Sequence, residues 1–355
     1  MSLIILRAMP DSAIQNAPAA SIISPASESL VARADGGSDG LTASAPATAL
    51  RVVSVSLGSS QRDHAAQTNF AGRAFSIERR GTDGDFKRAQ ELIAELDGQV
   101  AAIGLGGIDL YLVAGPRRYL LRDAAKLARA SQRTPVVDGS GLKDTLERAV
   151  LRRLETEGRI AWRGTKVLLV CAADRFGMAE ELVRNGADVT FGDWAFILGL
   201  PFKMRSLGAL RRLGSVILPV AAKLPFQWLY PTGAKQSVIK PAPVTRKFFE
   251  DAEIIAGDFH LIRRNLPARL DGKTILTNTV TASDVELLRE RGVKRLITTT
   301  PEFGGRSFGT NVMEGVFAAL GAKTPREYGA LLQQLDWKPR VVELNEDASQ
   351  GSTAA

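Results

Sequence analysis

Residues Lys166 to Asp193, KVLLVCAADRFGMAEELVRNGADVTFGD, predict a strand, a tight turn, a helix and a second strand. Lys166 to Cys171 is a short run rich in Val and Leu, which is typical of a strand covered on both faces. The helix predicted from Met178 to Asn185 ends at Gly186, a residue that favours the backbone conformation found after helices. This order of elements is that of half a dinucleotide-binding domain.

The turn in this unit departs from the G-x-G-x-x-G fingerprint. Ala172 and Asp174 stand where the first two glycines belong, and the third is Gly177. A carboxylate at position 174 would repel a pyrophosphate unless Arg175 neutralises it. Asp193 lies about 20 residues past the turn, where an acidic residue binds a ribose hydroxyl in such domains. We predict these five residues as cofactor-binding positions for NAD or NADP.

Composition narrows the class of protein. The chain has 355 residues, a net charge of +8 and 45% hydrophobic residues, which suits a globular protein with an anionic partner. We expect a small anionic substrate and no specific nucleic acid, because no long Lys/Arg tract interleaved with aromatic residues occurs. One cysteine excludes an intramolecular disulfide, and with two distant histidines it predicts no metal site. The short apolar start lacks a preceding positive region, so we expect a cytoplasmic protein.

The alternation of strands and helices predicts an α/β fold with two Rossmann-like parallel-sheet domains and a cleft between them. We divide the chain into a disordered Ala/Ser/Pro-rich tail (1–49), an N-terminal α/β domain (50–160), a Rossmann-like domain (161–325) and a C-terminal extension disordered at its end (326–355). Residues 194–233 interrupt the second domain with an apolar and basic helical segment. Its prolines favour a hairpin of helices in an interdomain or homo-oligomer contact over a helix lying on a membrane, so membrane contact is not expected.

Polar residues after the strands supply candidates for chemistry. Asp138, Ser140 and Lys143 follow a short strand, with Lys143 as an acid or base paired with Asp138 or Asp144. His260 follows Asp258, which could set its tautomer. We predict Lys143, Asp138 and His260 as catalytic residues, although a helix cap at 138–140 and a structural histidine explain the same patterns.

Further candidates lie at other strand ends. We expect Asn278, Thr279 and Thr300 to contact the cofactor, because they end two successive strands. The predicted substrate-binding residues are Ser59, Ser60, Ser140, Arg306 and Ser307. Ser59 and Ser60 follow a strand in a loop that could cradle an anion, although a plain turn would have the same composition.

Seven stretches together resemble one protein family. They are SVSLGSSQRDH, RRGTDGD, GLGGIDLYLVAG, VVDGSGLKDTLER, CAADRFGMAE, LPFQWLYPTGAKQ and ITTTPEFGGRSFGTN. From Arg51 to Ala322 the chain resembles a bacterial family often labelled quinate 5-dehydrogenase. The resemblance implies NAD(P)-linked oxidation of a cyclic hydroxy acid such as quinate or shikimate. The altered fingerprint AADRFG and the missing V-T-x-P-x-K lysine motif mean that no catalytic residue is carried over from that family.

Two functions follow from these patterns. The first is an NAD(P)-dependent oxidoreductase that acts on a small cyclic hydroxy acid, with Lys143 taking the hydroxyl proton. The alternative is a non-catalytic protein that binds a nucleotide or a sugar phosphate, which Asp174 in the fingerprint favours.

Overall fold

Strands and helices alternate along the chain, as the apolar patterning predicts. The computed structural model describes residues 49–114, 117–225, 239–303 and 306–345. In chain order the strands are β1 (Leu50–Ser56), β2 (His64–Phe70), β3 (Arg73–Gly81), β4 (Ala102–Gly106), β5 (Tyr111–Ala114), β6 (Arg117–Leu120), β7 (Val136–Val137), β8 (Lys166–Leu169), β9 (Asp188–Phe191), β10 (Ile254–Gly257), β11 (Thr274–Thr277), β12 (Arg295–Thr298), β13 (Glu302–Phe303), β14 (Arg306–Ser307) and β15 (Arg340–Glu343). The helices are α1 (Phe86–Leu96), α2 (Arg122–Ala128), α3 (Ser140–Thr156), α4 (Phe176–Arg184), α5 (Asp193–Phe196), α6 (Leu207–Ala221), α7 (Arg246–Asp251), α8 (Phe259–Arg264), α9 (Ala282–Glu290), α10 (Thr310–Ala319) and α11 (Pro325–Gln334).

The first sheet has the strand order β2-β3-β1-β4-β7. Strand β1 pairs in parallel with both β3 and β4, with Val52 opposite Ile77 on one side and Ala102 on the other. Strand β2 is antiparallel and lies at the edge. Helices α1 and α2 cover one face, and helices α3 and α10 cover the other. Such two-sided cover explains why the central strands are apolar along their whole length.

The second sheet has the order β15-β12-β11-β10-β8-β9. Five of its strands are parallel, and β15 joins the edge in the antiparallel direction. Helix α4 packs on one face of this sheet, and helices α7, α8 and α9 pack on the other. Thr281 and Asp284 form a reciprocal capping box that fixes the start of α9.

One apolar core runs through both sheets. It joins Val52 and Phe75 of the first sheet to Leu169 and Phe191 of the second through side chains of α3 and α10. Helix α10 follows the parallel strands of the second sheet in sequence but packs on β1 and β4. Gly104 permits this return, because a Cβ atom there would lie 2.9 Å from the backbone oxygen of Asn311 in α10.

Each sheet has a point where the strand order reverses. In the first sheet this switch point lies between β1 and β4, and in the second between β8 and β10. Ligands of open α/β sheets bind in the crevice outside the strand ends at such points. The loops that follow these four strands therefore define the region of interest.

The predicted fold class is confirmed, with several corrections to the elements. Helix α4 begins at Phe176, two residues before the predicted start, and Asp193 begins a short helix instead of ending a strand. The sequence interpretation missed β2, β6, α7, α8, α11 and β15, and the predicted extension from residue 326 contains most of α11 and all of β15. The predicted tail to Thr48 and the end from 346 lie outside the described residues.

The inserted segment also differs from its prediction. Its described part contains α5 and α6, and Pro219 lies within α6 instead of ending it, although the missing N–H of a proline removes one hydrogen bond of the helix. Residues 226–238 lie outside the described part. Among the helices of the described residues, none is long and apolar enough to cross a membrane.

Candidate functional site

Lys143 stands at the centre of the region between the two switch points. It lies in the first turn of α3, and its Nζ atom donates to the two carboxylate oxygens of Asp174 at 2.9 and 3.1 Å. Asp109, in the loop after β4, lies 3.8 Å from the same Nζ atom. The predicted pairing with Asp138 or Asp144 is therefore corrected, since the carboxylates beside Lys143 come from two other loops.

Burial alone would lower the pKa of Lys143, but Asp174 and Asp109 outweigh it and hold the pKa well above its ordinary value. Lys143 is therefore an ammonium ion at neutral pH, able to donate hydrogen bonds or a proton but unable to accept one. The predicted role of taking a proton from a hydroxyl is not supported by this environment.

Arg175 is buried, with 2% of its surface exposed, and pairs with Glu147 one helical turn beyond Lys143. Its second amino group lies 3.6 Å from Asp258, which follows β10. Arg175 thus joins α3 to the strand ends on both sides of the second switch point. The sequence suggested that it neutralises Asp174, but Lys143 makes that contact and Arg175 is directed to Glu147.

His260 joins the second sheet to the first. Arg62, in the loop after β1, donates a hydrogen bond from Nη1 to His260 Nε2 at 3.0 Å. Asp258 accepts the backbone N–H of His260, so it holds the helix start instead of setting the ring tautomer as predicted. Burial lowers the pKa of His260 below its ordinary value and Arg62 adds to the effect, while Asp258 opposes it.

Asp258 stays charged in this cluster. Burial opposes its ionisation, but His260, Arg175 and Lys143 together hold its pKa below the ordinary value. Asn278, predicted as a cofactor contact, lies with its Nδ2 atom 3.4 Å from Asp258 Oδ2. The side chains of Asp258, Asp174 and Asp109 are 30%, 31% and 23% exposed, so all three carboxylates can reach a ligand.

The altered fingerprint turn does not fit a pyrophosphate. Asp193, which is almost fully buried, accepts the backbone N–H groups of Ala172 and Ala173 at 3.1 and 2.9 Å, which leaves neither for a phosphate. Asp174 lies in the same turn, and the carboxylate of Asp144 fills the space where a side chain of Gly177 would be. Three carboxylates therefore surround the amides that a dinucleotide would need.

The carboxylate of Asp138 is occupied by hydrogen bonds, most of them from backbone N–H groups. Its carboxylate accepts the N–H groups of Leu110 and Tyr111 at 2.5 and 3.3 Å, and both the N–H and the hydroxyl of Ser140. The predicted catalytic role of Asp138 and the predicted substrate contact of Ser140 are therefore replaced by a structural one. These bonds hold the turn that places Lys143.

The remaining predicted contacts are distributed outside the cluster. Ser59 caps a short 3-10 turn over 60–62, and the backbone N–H of Ser60 is taken by Asp83, so no anion cradle is left there. The hydroxyl of Thr300 donates to the carbonyl of Asn278 at 2.7 Å and is buried, and Thr279 donates to the carbonyl of Phe308. Arg306 and Ser307 form strand β14, and their side chains lie outside the described part.

The sequence interpretation missed Asp109, Glu147 and Arg62 as site residues. Asp109 follows the glycine run after β4. Glu147 lies four residues after Lys143, and this spacing places the side chains of Lys143 and Glu147 on one face of α3. That spacing could have indicated Glu147. Across residues 49–114, 117–225, 239–303 and 306–345, no group of three or more His, Cys, Asp or Glu residues could hold a metal ion.

The cluster is suited to hydroxyl groups. Partly exposed carboxylates can accept hydrogen bonds from the hydroxyl groups of a ligand, and Lys143 and Arg62 can donate hydrogen bonds to its hydroxyl oxygens. Most of the charges are already paired, so an uncharged or singly charged ligand disturbs the balance less than a pyrophosphate does.

These features define a doubly wound α/β protein with two parallel sheets whose switch points face one candidate site. The chain belongs to the family described as Domain of unknown function (DUF8754), whose model matches residues 141–344. Residues 51–138 match a second model, Domain of unknown function (DUF8753). The two matched ranges meet at the turn before α3. No curated protein matches the chain in sequence.

Several solved structures are similar to the chain at low sequence identity. The chain is similar to GanP, a glucose-galactose binding protein from Geobacillus stearothermophilus, with 8% identity, a TM-score of 0.34 and coverage of 87% of this chain and 100% of that one. It is also similar to a hetero-hexameric glutamate dehydrogenase from Thermus thermophilus, with 12% identity, a TM-score of 0.38 and coverage of 82% and 74%.

Proposed function

We propose that this protein binds a small polyhydroxylated ring compound, a cyclic hydroxy acid or a sugar, where the two switch points meet. The observation that carries the proposal is the cluster of Lys143, Asp174 and Asp109, to which both sheets contribute. Such crevices bind ligands in open α/β sheets. Carboxylates alternating with cationic donors are the groups that recognise adjacent hydroxyls.

As a second candidate we propose an NAD(P)-dependent oxidoreductase for a quinate- or shikimate-like acid. The specific observation in its favour is the β8–α4–β9 unit beside the second switch point, whose two parallel strands and connecting helix have the order of half a dinucleotide-binding domain. In this candidate Lys143 would act as a proton donor to a carbonyl oxygen, which corresponds to the reduction direction. The carboxylates around the turn after β8 count against this candidate, because they would repel a pyrophosphate.

Calorimetric titration of the purified chain tests both candidates. We expect quinate, shikimate or glucose to bind, and a ligand at hundred-fold excess over its Kd to raise stability by about 2.7 kcal/mol. Comparison of the titrations with quinate and shikimate to the titration with glucose shows whether the ligand is a hydroxy acid or a sugar. NAD and NADP are expected to produce no heat and no thermal shift.

Lys143→Ala is the test variant, which should lose binding, and Lys126→Ala is its matched control, which should keep it. Lys126 is an exposed residue of α2 that pairs with Asp123, away from the cluster. Loss of binding in both variants, or binding by neither the wild type nor the variants, would overturn the first proposal. Binding of a dinucleotide, followed by a change in nicotinamide absorbance with quinate or shikimate, would establish the second candidate instead.

A further inference from the structure

The longest stretch of the chain without an acidic residue lies around α6. Between Asp193 and Glu250 there is no Asp or Glu, and this acid-free segment (194–249) contains nine basic residues. They are Lys203, Arg205, Arg211, Arg212, Lys223, Lys235, Lys240, Arg246 and Lys247. Lys235 lies outside the described residues, and the other eight are exposed. The segment therefore carries a concentrated positive charge that the cluster around Lys143 does not use.

Helix α6 divides this segment into two faces. Leu210 is buried in the core that both sheets share, and Ala222, just after the helix, packs in the core beneath α1 and α2. On the opposite side, exposed residues recur every three or four positions, which places them on one helical face. They are Arg212, Val216, Val220 and Lys223.

Two of these exposed residues are apolar. Val216 is 71% exposed and Val220 is 54% exposed, and a basic residue stands before and after them on the same face. Ile197 and Phe202, earlier in the segment, are 51% and 59% exposed. Apolar side chains between basic ones are typical of helices that lie in the interface of a bilayer.

The basic residues of the segment also limit which kind of partner can bind the exposed face of α6. Four basic residues of the segment pair with acidic residues outside it, namely Lys203 with Asp251, Arg205 with Asp188, Arg211 with Glu180 and Arg246 with Glu250. Within the described residues, Arg212 and Lys223 form no ion pair. The two basic residues that flank the exposed valines are therefore available to an external anion.

A second copy of the chain fits this face poorly. A symmetric dimer places the same surface on both sides of the contact, so the basic residues of α6 would face one another with no acidic residue of the segment to pair with. An anionic partner with an apolar interior meets both the charges and the valines. We propose that the exposed face of α6 docks on an anionic lipid bilayer, with Val216 and Val220 entering the headgroup region.

Vesicle flotation tests the proposal with the full chain. We expect the protein to float with vesicles of equal parts phosphatidylcholine and phosphatidylglycerol, and not with phosphatidylcholine alone. High salt should release it, because the attraction of basic residues to anionic lipid is screened by ions. The double variants Val216→Ser/Val220→Ser and Arg212→Gln/Lys223→Gln should each lose at least about tenfold in vesicle affinity.

Val183→Ser is the matched control, since Val183 is an exposed helical valine of α4 outside the segment. It should float like the wild type, and circular dichroism should give all variants the same melting curve. The charge variant tests the proposal independently if the valine variant is unstable. No flotation of the wild type, equal flotation with both vesicle types, or unchanged flotation of both double variants would overturn the proposal.

Two other outcomes would assign the face to a different occupant and also overturn the proposal. One is a dimer, measured by analytical ultracentrifugation, that dissociates in the Val216→Ser/Val220→Ser variant. The other is retention of duplex DNA by the wild type without vesicle binding, lost in the Arg212→Gln/Lys223→Gln variant.

Discussion

The Nζ atom of Lys143 lies 2.9 Å from Oδ1 of Asp174, and this salt bridge joins the first turn of α3 to the turn after β8. Lys143 is thereby fixed between the two switch points with its donors directed at carboxylates that solvent can reach. Lys143→Ala should lower the affinity for a hydroxylated ligand by about ten- to a hundred-fold, since a hydrogen bond from a charged donor contributes about 1.5–3 kcal/mol. Lys143→Arg should keep part of the affinity. Calorimetric Kd values measure both, and an unchanged Kd in Lys143→Ala would contradict the role of Lys143 in binding.

The buried pair of Arg175 and Glu147 should be sensitive to loss of one partner. Arg175→Met leaves the Glu147 carboxylate buried without its counter-ion, which should lower the free energy of unfolding by about 3–5 kcal/mol. The double variant Arg175→Met/Glu147→Leu should recover much of that loss, because it removes both charges of the buried pair and leaves neither without its partner. Urea denaturation measures each variant.

Arg205→Met is the control for that series. Arg205 and Asp188 form an exposed pair, with side chains 61% and 39% exposed. Breaking such a pair should change the free energy of unfolding by less than about 1 kcal/mol. Equal losses in Arg175→Met and Arg205→Met would show that burial of the first pair has no energetic consequence.

Glu314 should make the stability depend on pH. Burial raises its pKa to about 7, with Asp138 adding to the rise, while Tyr328 and the backbone N–H of Gly139 oppose it. Between the ordinary pKa of 4.5 and about 7, the native state holds a proton that the unfolded chain has released. Stability from this group is therefore lost as the pH rises through that interval.

Glu314→Gln removes this titration. Between about pH 5 and about pH 8 the wild type should lose on the order of 2 kcal/mol more stability than the variant does. Urea denaturation across the pH series measures the difference. Burial also raises the pKa values of Glu147 and Asp193, to about 7 and about 6, but both remain in the variant, so the comparison isolates Glu314. Parallel pH profiles for the two proteins would refute the assignment.

Gly104→Ala tests the return of α10 to the first sheet. The new methyl group would lie 2.9 Å from the backbone oxygen of Asn311, and a backbone atom can yield only if the whole helix shifts. We expect a loss of about 1–3 kcal/mol in the free energy of unfolding. Gly208→Ala, at an exposed position of α6 where the nearest atom is 3.6 Å away, should instead gain at most about 1 kcal/mol. Thermal melts rank the two variants, and a stable Gly104→Ala would mean that α10 does not approach β4 so closely.

Periodicity was sufficient to predict the α/β class and most of the central strands, because strands covered on both faces must be apolar along their whole length. It failed at the edges. Strand β2, HAAQTNF, consists mostly of small and polar residues and has one buried member, so its sequence looks like a loop. Strand β15 is held in place by pairing with β12 and has no fully buried residue in its four positions.

Some residues of the candidate site were identified from the sequence, but their contacts were not. Lys143 was identified from its place after a strand, yet its carboxylate partners lie 34 and 31 residues away, at Asp109 and Asp174. Such pairings depend on how the two sheets pack, which local patterns do not contain. Asp138 was predicted to be catalytic because its residue type suits chemistry, but the same carboxylate is equally suited to accepting backbone N–H groups, and it accepts three of them and the hydroxyl of Ser140.

Helix α10 covers β1 and β4 but is built from residues 310–319, near the end of the chain. During synthesis the strands of the first sheet leave the ribosome long before this helix does. Their inner face, including Val52, therefore lacks the cover of α10 on the nascent chain until residue 319 has been translated. The first sheet cannot complete its cover before the parallel strands of the second sheet have been synthesised, so the folding of the two sheets is coupled.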